Sequence, residues 1–273
     1  MSGTEIESRL TRVFREAGRP VLMPYATGGY PDPEGSARIA KTFRRAGADI
    51  VELGIPFSDP LADGPVIQAA STAALKRGIR PAHVFSLAAD VAADGFPVVL
   101  LSYLNTILAR GAESFFSSCA ESGVLGVVVP DLPVDEAADL QQEARARGVD
   151  VILLAAPTST DARLDRIAEA ASGFIYCVST TGVTGARNEL SRELPEFLAR
   201  LRSRTNLPLA VGFGVSTAAQ AAEVGKMADG VIIGSRLMRM VQESADLEQA
   251  LDEIYRFLEP ISETLRSLEP HRR

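Results

Sequence analysis

Short apolar runs alternate with stretches of amphipathic helical spacing along almost the whole chain. Residues 4–18 put Ile6, Leu10, Val13 and Phe14 on one face at helical spacing, so an amphipathic helix opens the chain and Arg19-Pro20 ends it. A short apolar strand at 21–26 follows, then the turn-rich Thr27-Gly28-Gly29-Tyr30-Pro31, a helix over 33–46 and a second strand at 50–53. The alternation continues with a period of roughly 25 to 35 residues. It predicts strands at 97–102, 126–129, 149–155, 173–178, 207–212 and 229–234. Amphipathic helices are predicted near 82–94, 113–122, 135–147, 160–171, 191–203 and 216–225, with two more at 235–242 and 246–267.

Eight strand–helix units are the number needed to close a parallel barrel. A doubly wound open sheet of six or seven strands is the competing architecture. Eight short strands of similar length and even spacing favour the barrel. The expected fold is therefore α/β, a (β/α)8 TIM barrel with an extra N-terminal helix and additional C-terminal helices. No Pro/Ser-rich linker interrupts it, so residues 1–273 are expected to form a single barrel domain.

Composition narrows the function more than the fold. A net charge of -7 argues against a nucleic-acid or anionic-membrane partner. The N-terminus is charged and amphipathic, without the apolar core of a signal peptide. No apolar run approaches the roughly 20 residues that span a bilayer. Cys119 and Cys177 lie isolated among apolar neighbours, as reduced core residues of a cytoplasmic protein do, and no metal site is expected. The two histidines, His83 in a predicted helix and His271 in the terminal PHRR tail, lack the setting of a triad or a metal site. Proton transfer in this chain would fall to carboxylates or tyrosines.

One carboxylate stands out. Glu52 lies within the apolar run Ile50-Val51-Glu52-Leu53, which reads as a parallel strand buried on both faces. Burial without partners would cost several kcal/mol, so Glu52 needs a hydrogen-bonding cavity or a raised pKa. The Gly- and Pro-rich loop behind it carries Asp59 and Asp63 before a helical pattern resumes near Val66. Glu52, Asp59 and Asp63 make a candidate acid–base site; Asp63 also reads as a helix N-cap, since Gly64-Pro65 follows it. The segment 179–188, rich in Gly and Thr, suits either an ordinary surface loop or a lid over a ligand, in which Thr184 would meet a loop aspartate. Gly212-Phe213-Gly214 and Gly234-Ser235 fall after the seventh and eighth strands, where barrels commonly bind phosphate.

The runs ELGIPFSDPLADGPVIQ, STTGVTGARN, GFGVS and IGS, in this order and spacing, resemble the tryptophan synthase alpha chain family from Met23-Pro24 to the final helices. The resemblance implies a (β/α)8 barrel that cleaves indole-3-glycerol phosphate to indole and glyceraldehyde 3-phosphate by a retro-aldol reaction. It implies no cofactor in this chain and a partner, the beta chain, that carries pyridoxal phosphate, receives the indole and completes an alpha2beta2 complex. Glu52 matches the family's general acid–base, and Asp63 the carboxylate that accepts a hydrogen bond from the indole N–H. Thr184 and Gly185 match the lid; Gly185, Gly214, Gly234 and Ser235 match the phosphate positions. Tyr25, Leu101, Tyr103, Leu154, Tyr176 and Phe213 match the indole pocket. Departures are Thr180, Tyr25, and Leu108-Ala109, where some relatives carry Arg, Phe and Phe-Asn; the last pair falls on the face expected to meet the beta chain, toward which Asp59 also lies.

Two other readings compete. A phosphoribosyl isomerase or an indole-glycerol-phosphate synthase would share the phosphate turns but would not require SDPLADG. The synthase would also want a strand lysine, and the predicted strands contain none. A non-catalytic ligand-binding partner subunit would be expected to have lost Glu52 or Asp63, and both are present.

Overall fold

The computed structural model describes residues 7–178, 193–212, 215 and 217–269. Within them eight parallel strands close into a barrel in chain order: β1 (Val21–Thr27), β2 (Val51–Gly54), β3 (Val98–Leu101), β4 (Val124–Val128), β5 (Asp150–Ala155), β6 (Ile175–Val178), β7 (Leu209–Gly212) and β8 (Gly230–Ile233). Closure leaves no open edge, and almost every strand position is buried, as continuous apolar strands require. The (β/α)8 barrel predicted from the alternation is the fold observed.

Around it run α1 (Arg9–Ala17), α2 (Pro33–Arg45), α3 (Pro65–Lys76), α4 (Pro81–Ala93), α5 (Leu104–Arg110), α6 (Ala112–Glu121), α7 (Ala138–Arg145), α8 (Asp161–Ala170), α9 (Leu194–Arg202), α10 (Ala218–Gly225), α11 (Ser235–Glu243) and α12 (Leu247–Arg266). The C-terminal α12 buries Ile254, Leu258, Ile261 and Leu265 and packs on the outside against α2 and α10.

Helix α1 plugs the end of the barrel where the strands begin. Ser8 caps it by accepting the Thr11 N–H at 3.0 Å. A Cβ on Gly126 of β4 would stand 2.9 Å from the Leu10 Cδ2, and one on Gly230 of β8 would stand 3.0 Å from the Phe14 Cε1. These two strands therefore carry glycine where the plug enters. Phe14 also packs on Phe174, ring centroids 5.3 Å apart, and the Thr11 hydroxyl donates to the Gly173 carbonyl at 2.7 Å. At the same end, Arg19 donates to both oxygens of Asp49, which accepts the Leu22 N–H at 2.8 Å, and Asp229 likewise accepts the Leu209 N–H at 2.8 Å.

The structure departs from the sequence pattern in several places, among them three around β3 and β4. β4 begins at Val124 rather than 126. The helix expected over 135–147 is a 3-10 turn at Val134–Glu136 followed by α7, because the Ala137 N–H bonds to Val134, three residues back. The segment after β3, to which the periodicity assigns no helix, is the two-turn helix α5. Its first N–H is held by the Asp131 carboxylate at 2.9 Å, a contact from the loop beyond β4.

Candidate active site

Glu52 pairs in register with Tyr25 of β1 and Val99 of β3. Tyr176, on β6 across the barrel, feels the charges of Glu52 and Asp63, and Tyr25 feels the same two. Side chains from opposite walls therefore converge at the mouth, inside the carboxyl ends of the strands, where barrel enzymes place their chemistry.

Glu52 is 1% exposed, and its Oε1 has no hydrogen-bond partner among the described residues. Burial, followed by the nearby Asp63 charge, pushes its pKa up to about 8. The sequence anomaly is thus a carboxyl group with an unfilled oxygen, held largely as the acid at neutral pH. Asp63 is 5% exposed, and burial raises its pKa to about 6, opposed by a hydrogen bond from the Tyr103 hydroxyl. At neutral pH one member of the pair carries a proton and the other a charge. Such a split allows two carboxyl groups to take different roles.

Asp63 does not cap α3. The N-cap is Gly64, which offers no side chain. The Asp63 backbone is pinned instead: its N–H donates to the Pro60 carbonyl at 3.0 Å, and its own carbonyl accepts from the Gln68 amide at 2.8 Å. The loop is wrapped around Tyr103. Phe57 stacks on the Tyr103 ring at 4.9 Å, the Tyr103 hydroxyl oxygen accepts the Ala62 N–H at 3.1 Å, and the hydroxyl proton goes to Asp63. Asp59, by contrast, is exposed, and its carboxylate accepts from the neighbouring Ser58 hydroxyl at 3.2 Å.

The remaining tyrosines are fitted over glycines. The Tyr25 hydroxyl lies 3.2 Å from the Thr27 hydroxyl, and a Cβ on Gly54 would stand 2.1 Å from the Tyr25 oxygen. A Cβ on Gly212 would stand 2.3 Å from the Tyr176 oxygen. Strands β2 and β7 therefore end on glycine because each lies beneath a phenol ring. Burial and the adjacent carboxylates raise the pKa of Tyr25, Tyr103 and Tyr176, so all three stay neutral donors. Leu101 is buried at the end of β3, and Leu154, half-buried, pairs in register with Tyr176.

α11 starts directly after β8, the strand next to β1. Gly234 is its N-cap without a side-chain cap bond, and Ser235 is its first helical residue. The first amides of this helix have no partner within it and face the end that attracts anions. A Cβ on Gly234 would meet the Tyr25 Cβ at 3.3 Å, so this helix start borders the tyrosine-lined pocket. Of the residues singled out in the sequence, Thr184, Gly185, Phe213 and Gly214, with the rest of the proposed lid, lie outside the described residues. Thr27, Gly54 and Phe57 were not singled out. A glycine ending a strand beside a tyrosine-bearing one was the available signal for Gly54; no local pattern marks Phe57. Among the described residues no group of three or more His, Cys, Asp or Glu is placed to hold a metal ion.

Fold and site together define a (β/α)8-barrel enzyme with two buried carboxyl groups at the mouth and a helix N-terminus bordering the same tyrosine-lined pocket. The family model for the tryptophan synthase alpha chain matches residues 12–266. A tryptophan synthase alpha chain from Gloeobacter violaceus is 48% identical over 272 residues, covering 97% of this chain and 99% of its own. One from Roseiflexus sp. is 48% identical over 242 residues, 87% of this chain and 93% of its own. Among solved structures, tryptophan synthase from Mycobacterium tuberculosis superposes with a TM-score of 0.88 at 36% identity, over 95% of this chain and 99% of that one. The tryptophan synthase α2β2 complex from Pyrococcus furiosus contains a chain matched at a TM-score of 0.83 and 35% identity, over 89% of this chain and 98% of that one. The chain belongs to the tryptophan synthase alpha chain family, and with it to the lyases of tryptophan biosynthesis.

Proposed function

We propose that this chain cleaves indole-3-glycerol phosphate to indole and glyceraldehyde 3-phosphate, with Glu52 as general acid and base and Asp63 as the anion beside the indole nitrogen. The observation that carries the reading is the split of the buried pair, a protonated Glu52 next to an ionised Asp63. Glu52 gives its proton to C3 of the indole ring, and positive charge grows on the ring nitrogen. Asp63 accepts the hydrogen bond of that N–H and stabilises the charge, an effect that is strong in a site closed to water. The Glu52 carboxylate then takes the proton of the side-chain hydroxyl. The carbon–carbon bond breaks, its electron pair returns to the ring, and the hydroxyl carbon becomes the aldehyde. Glu52 ends protonated, ready for the next turnover, and the sum of protons is unchanged.

Tyr25, Leu101, Tyr103, Leu154, Tyr176 and Phe213 line the indole pocket in this reading, flat walls with few polar groups. The phosphate lies on the amides of Gly185, Gly214, Gly234 and Ser235, with the Ser235 hydroxyl, and Thr184 meets Asp63 from the lid. The chain needs no cofactor of its own. Its partner is the beta chain, which holds pyridoxal phosphate and receives the indole within an alpha2beta2 complex. Leu61 and Leu108, 86% and 59% exposed on the loop after β2 and on α5, provide apolar contact for that partner beside Asp59. We read residues 1–273 as one barrel domain of a cytoplasmic protein; among the described residues no helix is long and apolar enough to cross a membrane.

The test is release of indole from indole-3-glycerol phosphate by the purified full chain, alone and with beta chain. The expected result is equal amounts of indole and glyceraldehyde 3-phosphate, formed faster when beta chain is present. No release under either condition would refute the proposal.

A further inference from the structure

We propose that Asp131, on the loop after β4, is a positioning residue for the Asp63 carboxylate, acting through the Tyr103–Leu104 peptide and the Tyr103 hydroxyl. The inference rests on the reading of Asp63 given above. Its basis is a continuous line of contacts across three loops. The Asp131 Oδ1 accepts the Leu104 N–H at 2.9 Å, which fixes the plane of the peptide that leaves Tyr103. Tyr103 is the last residue before α5, in extended conformation at φ -72° and ψ 145°, and its own side chain makes no cap bond to the helix. The side chain turns the other way, into the mouth. There its oxygen accepts the Ala62 N–H at 3.1 Å and its proton serves Asp63. Phe57 closes over the ring, with centroids 4.9 Å apart and planes 18° apart.

Tyr103 is therefore the post around which the Asp63 loop is folded, and Asp131 holds the base of that post. α5 has seven residues and is anchored in the core by Ile107, with Leu104 half-buried, so little else besides the Asp131 contact fixes its first turn. Asp131 is exposed, and no step of the cleavage passes through it. Its effect reaches the chemistry as geometry. Losing the Leu104 bond lets Tyr103 rock and displaces the Asp63 carboxylate from the indole N–H, and small displacements of a charged group from its reacting partner cost rate steeply.

The experiment compares Asp131→Ala, Asp131→Asn, Tyr103→Phe and the Asp131→Ala/Tyr103→Phe double variant in the full chain with beta chain present. Asp131→Ala is expected to lower kcat for indole release by roughly tenfold, with the melting temperature nearly unchanged. Asp131→Asn keeps the Oδ1 acceptor and is expected to restore most of the rate. In the Tyr103→Phe background, Asp131→Ala is expected to cost little more, because the line it acts through is already cut. Wild-type kcat in Asp131→Ala, failure of Asn to rescue, or fully additive losses in the double variant would each overturn the proposal. An Asp63→Asn control separates the two claims. Full activity there refutes the Asp63 reading and the inference with it; an inactive Asp63→Asn beside an unaffected Asp131→Ala refutes the inference alone.

Discussion

Replacing Glu52 by Gln is expected to lower the rate of indole release by roughly 10²–10⁴-fold while leaving phosphate binding intact. Gln has almost the shape of a protonated Glu, so the cavity stays filled, but its amide neither gives a proton to carbon nor takes one from a hydroxyl. Stability should move the other way. The folded pKa of Glu52, about 8, lies above its unfolded value of 4.5, so burial favours the neutral form. The contribution of this group is fully present below the unfolded value and is lost as pH rises through the folded one. The Gln variant has no such loss and should melt higher than the parent by a margin that grows as pH rises toward 8. Inorganic phosphate binding, read by calorimetry, should match the parent. A variant that turns over normally, or one that is inactive because it no longer folds, would contradict this account.

Asp63→Asn is expected to reduce cleavage by roughly 10²–10³-fold, through loss of charge. The asparagine oxygen still accepts a hydrogen bond from Tyr103, and the loop keeps its backbone bonds to Pro60 and Gln68. What disappears is the anion facing the ring nitrogen when C3 takes its proton. Because Asp63 does not cap α3, the fold has little reason to weaken. The two measurements are turnover and melting temperature on the same sample. Lost turnover with an unchanged melt supports the anion role; retained turnover with a lowered melt would mean that the residue serves the loop alone.

The contrast between these two residues shows what a sequence carries. Glu52 was legible because a carboxylate in an unbroken apolar strand violates the burial pattern, and only an unusual environment permits it. Asp63 was ambiguous because the local string Asp-Gly-Pro is equally good helix-start chemistry; the choice is made by Tyr103, forty residues away in chain terms and adjacent in space. The barrel was legible because each strand and helix writes its own period. Helix α5 was not, since the carboxylate holding its first amide comes from the next loop rather than from its own flank. Phe57 and Asp131 are invisible for the same reason. Their roles exist only once the loops after β2, β3 and β4 lie side by side.

The pH dependence of kcat/KM for indole release shows whether protonated Glu52 is the acid of the reaction. The acid limb overlaps ionisation of the substrate's own phosphate, so the alkaline limb is decisive. The buried pair titrates as a unit, and its second proton, held chiefly by Glu52, leaves near pH 8. Removing it takes away the acid that protonates C3. kcat/KM is expected to fall tenfold per pH unit above about 8. A profile that stays flat well into the alkaline range would contradict it.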